Sequence, residues 1–111
     1  MINQKTHQRI RLDLNNPVFQ RQLFNLTKTD QRNILNTFRK LVKMTWQQVY
    51  SDYGLKWEVI LSQKGPADNK LYSFRISKGF RGVAYRDGPW LRLLSLHPDH
   101  DSAYQYTIRT Y

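Results

Sequence analysis

The chain has 111 residues, enough for one domain with a core of its own, and no cysteine, which excludes disulfide frameworks, thiolate metal sites and cysteine nucleophiles. Lysine and arginine number 18 against 8 acidic residues, a formal charge of +10, and so small a domain with that field attracts polyanions, nucleic acid above all, or an acidic protein. No apolar run reaches the length of a membrane span and the polar start MINQKTHQRIR lacks the hydrophobic core of a signal peptide, so a cytoplasmic protein without a membrane partner is expected.

Residues 1–111 read as a single domain. From Gln8 to Leu14 the residues Ile10, Leu12 and Leu14 alternate with Arg9, Arg11 and Asp13, the period of a strand. Asn16 is a good helix N-cap and Pro17 a good first helical residue, so a helix is expected from there to about Leu26, with Phe19, Leu23 and Leu26 inward and Arg21 and Gln22 outside. Thr29 or Asp30 should cap a second helix over Gln31–Lys43, where Ile34, Leu35, Phe38, Leu41 and Val42 form an apolar stripe. Thr45-Trp46-Gln47-Gln48 has the form of a capping box, opening a short helix from Trp46 to Tyr53 with Trp46, Val49, Tyr50 and Tyr53 inward. Leu55–Leu61 alternates Leu55, Trp57, Val59 and Leu61 against Lys56, Glu58 and Ile60 and is extended or a strand; Ser62–Lys70 is a long loop.

The run Leu71–Tyr104 is the most informative. Lys78-Gly79 and Asp87-Gly88 are hairpin signals, and the residues between them are β-branched, aromatic or small, so three consecutive strands are expected. The two-residue period places Tyr72, Phe74 and Ile76 on one face with Phe80, Gly82 and Ala84, and Ser73, Arg75 and Ser77 on the other with Arg81, Val83 and Tyr85. Arg75 and Arg81 thus share the open face. Two guanidiniums there form an anion site, since the planar fork matches phosphate, or else are two solvated strand arginines. Strand, helices and three strands in that order predict an α+β fold, a small, twisted, antiparallel-rich sheet with the N-terminal helices packed on one face.

The loop His97-Pro98-Asp99-His100-Asp101 admits three readings: a metal site, disfavoured because Pro98 stiffens it and the remaining histidine, His7, is distant; an acid/base site, because a carboxylate can orient a histidine that titrates near neutrality; or a polar loop with a structural histidine. No nucleophile elbow and no phosphate-cradling glycine loop is present.

The segments LYSFRIS, GFRGVAYR and LRLLSLHPDHDSAY resemble the C-terminal half of the RelE/ParE toxin superfamily, and the preceding strand and helices fit its order. The resemblance implies a RelE-like mRNA interferase nearest to the YafQ-like, histidine-containing branch: a toxin that cleaves mRNA on the ribosome without metal or cofactor, held in a hetero-oligomer by an acidic antitoxin. Arg81 stands where RelE-like ribonucleases carry the arginine that holds the scissile phosphate, with Arg75 on the preceding strand. His100, four residues before Tyr104, resembles the histidine and aromatic pair of the YafQ-like branch, with His97 a second proton-transfer group. Lys64, Lys70, Lys78 and Arg86 would contact the RNA backbone. The last loop has Pro98 and Asp99 where the RelE branch has an arginine, which puts the weight of the chemistry on His100. A ParE-like inhibitor of DNA gyrase, which cleaves nothing, and an RNA-binding domain without toxicity are the alternatives.

Overall fold

Alternation in the first two of the three consecutive strands is realised as expected, and the sheet is built around it. The computed structural model describes residues 7–98. The strands β1 (Arg11–Asp13), β2 (Glu58–Lys64), β3 (Lys70–Ser77), β4 (Phe80–Asp87) and β5 (Trp90–His97) lie in the order β1-β5-β4-β3-β2. All neighbours are antiparallel except β1, which runs parallel to β5. The links between β3 and β4 and between β4 and β5 each turn through a glycine with positive φ, Gly79 at 74° and Gly88 at 59°, where a Cβ would be strained.

The helices are α1 (Pro17–Asn25), α2 (Lys28–Leu41) and α3 (Trp46–Ser51). Each begins at a side-chain cap. The Asn16 Oδ1 accepts the N–H groups of Val18 and Phe19 at 2.9 and 3.1 Å, and the Thr45–Gln48 capping box is complete. On α2 the cap is Thr27, whose hydroxyl accepts Asp30 N–H at 3.1 Å, so the helix starts one turn earlier than Thr29 or Asp30 would have set it.

Phe19, Ile34, Phe38, Leu41, Trp46 and Val49 from the helices meet Phe74, Phe80, Ala84, Leu91, Leu93 and Leu96 from the sheet in the main core, with Tyr72 and Ile76 at its margin. The expected stripes were too wide. Leu35 on α2, Val42 just past its end, and Tyr50 and Tyr53 at α3, are exposed, because one flank of a helix lying on a sheet stays in water. Gln22, expected outside, accepts the Leu96 N–H at 2.7 Å, completing the edge of β5 beyond the end of the short β1. Strand β2 begins three residues later than Leu55, and Val59 and Leu61 are exposed while Ile60 is buried, so its buried side is the reverse of the one expected. The cause is a second, smaller cluster on the far face of the sheet, Ile60, Leu71, Val83 and Leu94 with Tyr85 beside them. The loop to β3 is shorter than expected, a 3-10 turn over Pro66–Asp68, and a side chain at Gly65 would collide with Leu71. No helix among the described residues is long and apolar enough to cross a membrane.

Candidate functional site

Register decides which polar side chains meet. Residues paired directly across antiparallel strands place their side chains on the same face, and Arg75 is paired with Arg81, which is paired in turn with His97. The three form one row across β3, β4 and β5 on the face away from the helices, spanning roughly 10 Å at the usual strand spacing. The expectation that Arg75 and Arg81 share the open face therefore holds, and both are partly exposed.

His97 reaches this row through an irregularity in β5. Val83 pairs with Ser95 and Ala84 with Leu93, leaving Leu94 as an extra residue. Leu91 and Leu93 point into the helix-side core, and so does Leu96, three residues on. Strict alternation from Leu93 would have sent Leu96 outward and Ser95 and His97 into the core. The bulge instead delivers Ser95 beside Val83 and His97 beside Arg81. The sequence shows a break in alternation at Leu93-Leu94, but not the strand pairing that turns it into a bulge.

Ser95 was not singled out by its sequence, yet its hydroxyl lies 2.7 Å from His97 Nε2. Both side chains are buried, His97 at 3 % exposure. Removing the ring from water penalises its charged form, and burial pushes the His97 pKa down to about 4. At neutral pH the imidazole is therefore uncharged, a weak base that keeps one ring N–H.

The open face is electrically uneven. Toward the β1 end, Arg92 is bridged to Asp13 and, at 3.0 Å, to Asp87. The Asn15 backbone N–H, and Arg92 beside it, hold the Asp13 carboxyl below the usual carboxylate range, against an opposing effect of burial. That cation is neutralised. At the other end Arg75 has no carboxylate within salt-bridge distance among the described residues, and Lys78 lies in the adjoining turn. Arg75 and Lys78 are thus cations of that end without a carboxylate within salt-bridge distance among the described residues.

The other residues assigned to RNA are not gathered at this row. Lys64 and Lys70 are register partners at the far end of β3, five residues from Arg75, or about 17 Å along the strand. Arg86 is on the helix side, where its guanidinium sits 4.5 Å from the centroid of the Trp46 ring and 5.8 Å from that of Tyr50, and its Nε donates to Gly88 O at 3.0 Å. Pairing with Leu91 put it there, which strand alternation in β4 could have indicated. His100 and Tyr104 lie outside the described residues. Among the described residues no group of three or more histidine, aspartate or glutamate side chains converges to hold a metal ion.

No protein-family model matches the chain, and no curated protein does. Among solved structures, one chain of the crystal structure of the archaeal RelE-RelB complex from Pyrococcus horikoshii OT3 superposes with a TM-score of 0.56 at 19% sequence identity, covering 81% of this chain and 94% of that one. At such identity the likeness is one of architecture, in agreement with the helices and mixed sheet found here. The protein has a RelE-like α+β fold.

Proposed function

We propose that the protein is the toxin of a toxin-antitoxin pair, an endoribonuclease that cleaves mRNA on the ribosome by attack of a ribose 2′-OH on the adjacent phosphate. The observation that carries the reading is the row Arg75, Arg81 and His97 on the open face. The RelE-like fold and the charge of +10 support it. Arg75 and Arg81 hold the scissile phosphate and stabilise the charge that develops on it, an electrostatic role that needs donors fixed beforehand, as a pair of sheet strands provides. The reaction discriminates RNA from DNA through the 2′-OH itself. His100 is the acid or base at the ribose and leaving oxygen, and Tyr104 stacks on a base or protonates the leaving group. His97, buried and neutral, is a second proton-transfer group at the end of the row. Lys64, Lys70 and Lys78 contact the RNA backbone away from the cut. Arg86 reaches only backbone that passes round to the helix side. An acidic antitoxin covers the basic surface, in a cytoplasmic complex.

The test is to incubate the purified protein with translating ribosomes and map the new mRNA 5′ ends. Cleavage should appear with wild type and fall by at least a hundredfold for Arg81→Ala. Wild type that cleaves no better than Arg81→Ala overturns the ribonuclease assignment, and inhibition of gyrase supercoiling by the same preparation would replace it with the ParE-like reading.

A further inference from the structure

The ribonuclease reading leaves open how a particular RNA sequence would be chosen, and a cleft beside Arg75 bears on it. Strand β2 pairs with β3 only as far as Glu58 opposite Ser73. Beyond that point β3 has no strand on its outer side, and the Arg75 N–H is taken instead by the Leu55 carbonyl at 2.7 Å. Helix α2 runs past this gap. Asn33, Asn36, Thr37 and Lys40 follow one another at intervals of three, one and three, so they share one face of the helix, and together with Leu55 and Arg75 they line an open cleft of about 260 Å³.

The cleft is polar, and some of its side chains have no protein partner among the described residues and face solvent. Thr37 Oγ1 donates to the Asn33 carbonyl at 3.1 Å, and Lys40 Nζ is paired with Asp52 at 2.8 Å. The side-chain amides of Asn33 and Asn36 and the guanidinium of Arg75 have no hydrogen-bond or salt-bridge partner among the described residues. A carboxamide presents a donor and an acceptor side by side, which is the pattern of a nucleobase edge. The volume lies just under the range of about 300 Å³ and more found for drug-sized ligands, a size suited to one base and not to several.

We propose that this cleft receives a single unpaired nucleobase flanking the scissile phosphate, and that Asn33 and Asn36 read its edge while Arg75 holds the phosphate at the cleft's border. The proposal rests on the ribonuclease reading. Single-stranded RNA can splay a base out of its stack to reach such a site. Arg75 is common to the row and to the lining of the cleft, so the two meet at the same edge of β3.

Two measurements test it. In the first, cut sites of the wild type in a pool of random-sequence mRNA on ribosomes are compared with those of Asn33→Ala, Asn36→Ala and Asn36→Asp. Wild type should favour particular bases at one position flanking the cut, and each alanine variant should lose about tenfold of that preference. Asn36→Asp, an acceptor only, should shift the preference toward bases that present an amino donor, such as cytosine, an outcome that mere loosening of the helix would not give. An unchanged preference in all three variants overturns the proposal. In the second, the four nucleoside monophosphates are titrated into the full-length protein and the side-chain amide signals of Asn33 and Asn36 are followed by NMR. At least one nucleotide should move both in a saturable way, with the effect lost in Asn33→Ala at Asn36 and in Asn36→Ala at Asn33. No response to any of the four overturns the cleft as a base site. A wild type that cuts no RNA but shows the saturable response overturns the ribonuclease reading while leaving the cleft standing.

Discussion

His97 sits at 3 % exposure with its Nε2 against Ser95, and burial lowers its pKa from the ordinary 6.5 to about 4. In the unfolded chain the same ring titrates near 6.5, so between those values the unfolded state binds a proton that the folded state does not. Stability is then unaffected by this residue above about pH 7 and declines as pH falls through 6.5 toward 4, with no further loss from this group below that. Between pH 7 and pH 5 the loss is about 2 kcal/mol, and the limiting loss is about 3 kcal/mol. Urea unfolding of wild type and His97→Gln at both pH values measures it, because the variant removes the titrating group and should be less sensitive to acid by about that difference. The imidazole signal of His97 should show no titration between pH 5 and pH 8. A ring that titrates near 6.5, or variant and wild type losing equal stability between pH 7 and pH 5, would refute the reasoning and return His97 to the role of a proton donor.

Other consequences follow from packing and charge. A Cβ at Gly82 would clash with three ring carbons of the fully buried Phe74, lying 2.6 and 3.0 Å from Cε1 and Cε2 and closer still to Cζ, so Gly82→Ala should cost about 2 kcal/mol and lower Tm by roughly 10 °C, with Gly82→Ala/Phe74→Leu recovering part of the loss in thermal unfolding. Thr45→Ala removes half of the capping box that starts α3 and should cost about 1 kcal/mol in urea denaturation without altering RNA affinity. RNA binding measured by fluorescence anisotropy should weaken steeply with salt, and Arg75→Ala should lower the slope of log affinity against log salt by about 1; an affinity flat from low to physiological salt would contradict a phosphate-binding face.

Local chemistry made much of this protein legible before any fold was known. Asn16 and Pro17, and Thr45 with Gln48, announce helix starts because the caps are satisfied within a few residues of themselves, and Gly79 and Gly88 mark turns because only glycine takes positive φ at no cost. Strand alternation placed Arg75 and Arg81 together for the same reason, since a period of two needs no knowledge of neighbours. What alternation could not supply is the partner of each strand. The bulge at Leu94 that carries Ser95 and His97 to the open face exists only in the pairing of β4 with β5, and Ile60 is buried only because Leu71 and Val83 come beside it from strands far along the chain. Arg86 was legible as a charge but not as a cation resting on Trp46, 40 residues earlier in the sequence. The cleft under Arg75 likewise arises where β2 stops short and α2 passes. Most elements, the caps of α1 and α3 and the two arginines of one face can be read along the chain, because they depend on interactions within a turn or along a strand. That His97 completes the row and that Asn33 and Asn36 line a cleft with Arg75 cannot, because register and helix placement follow from contacts between residues distant in the chain.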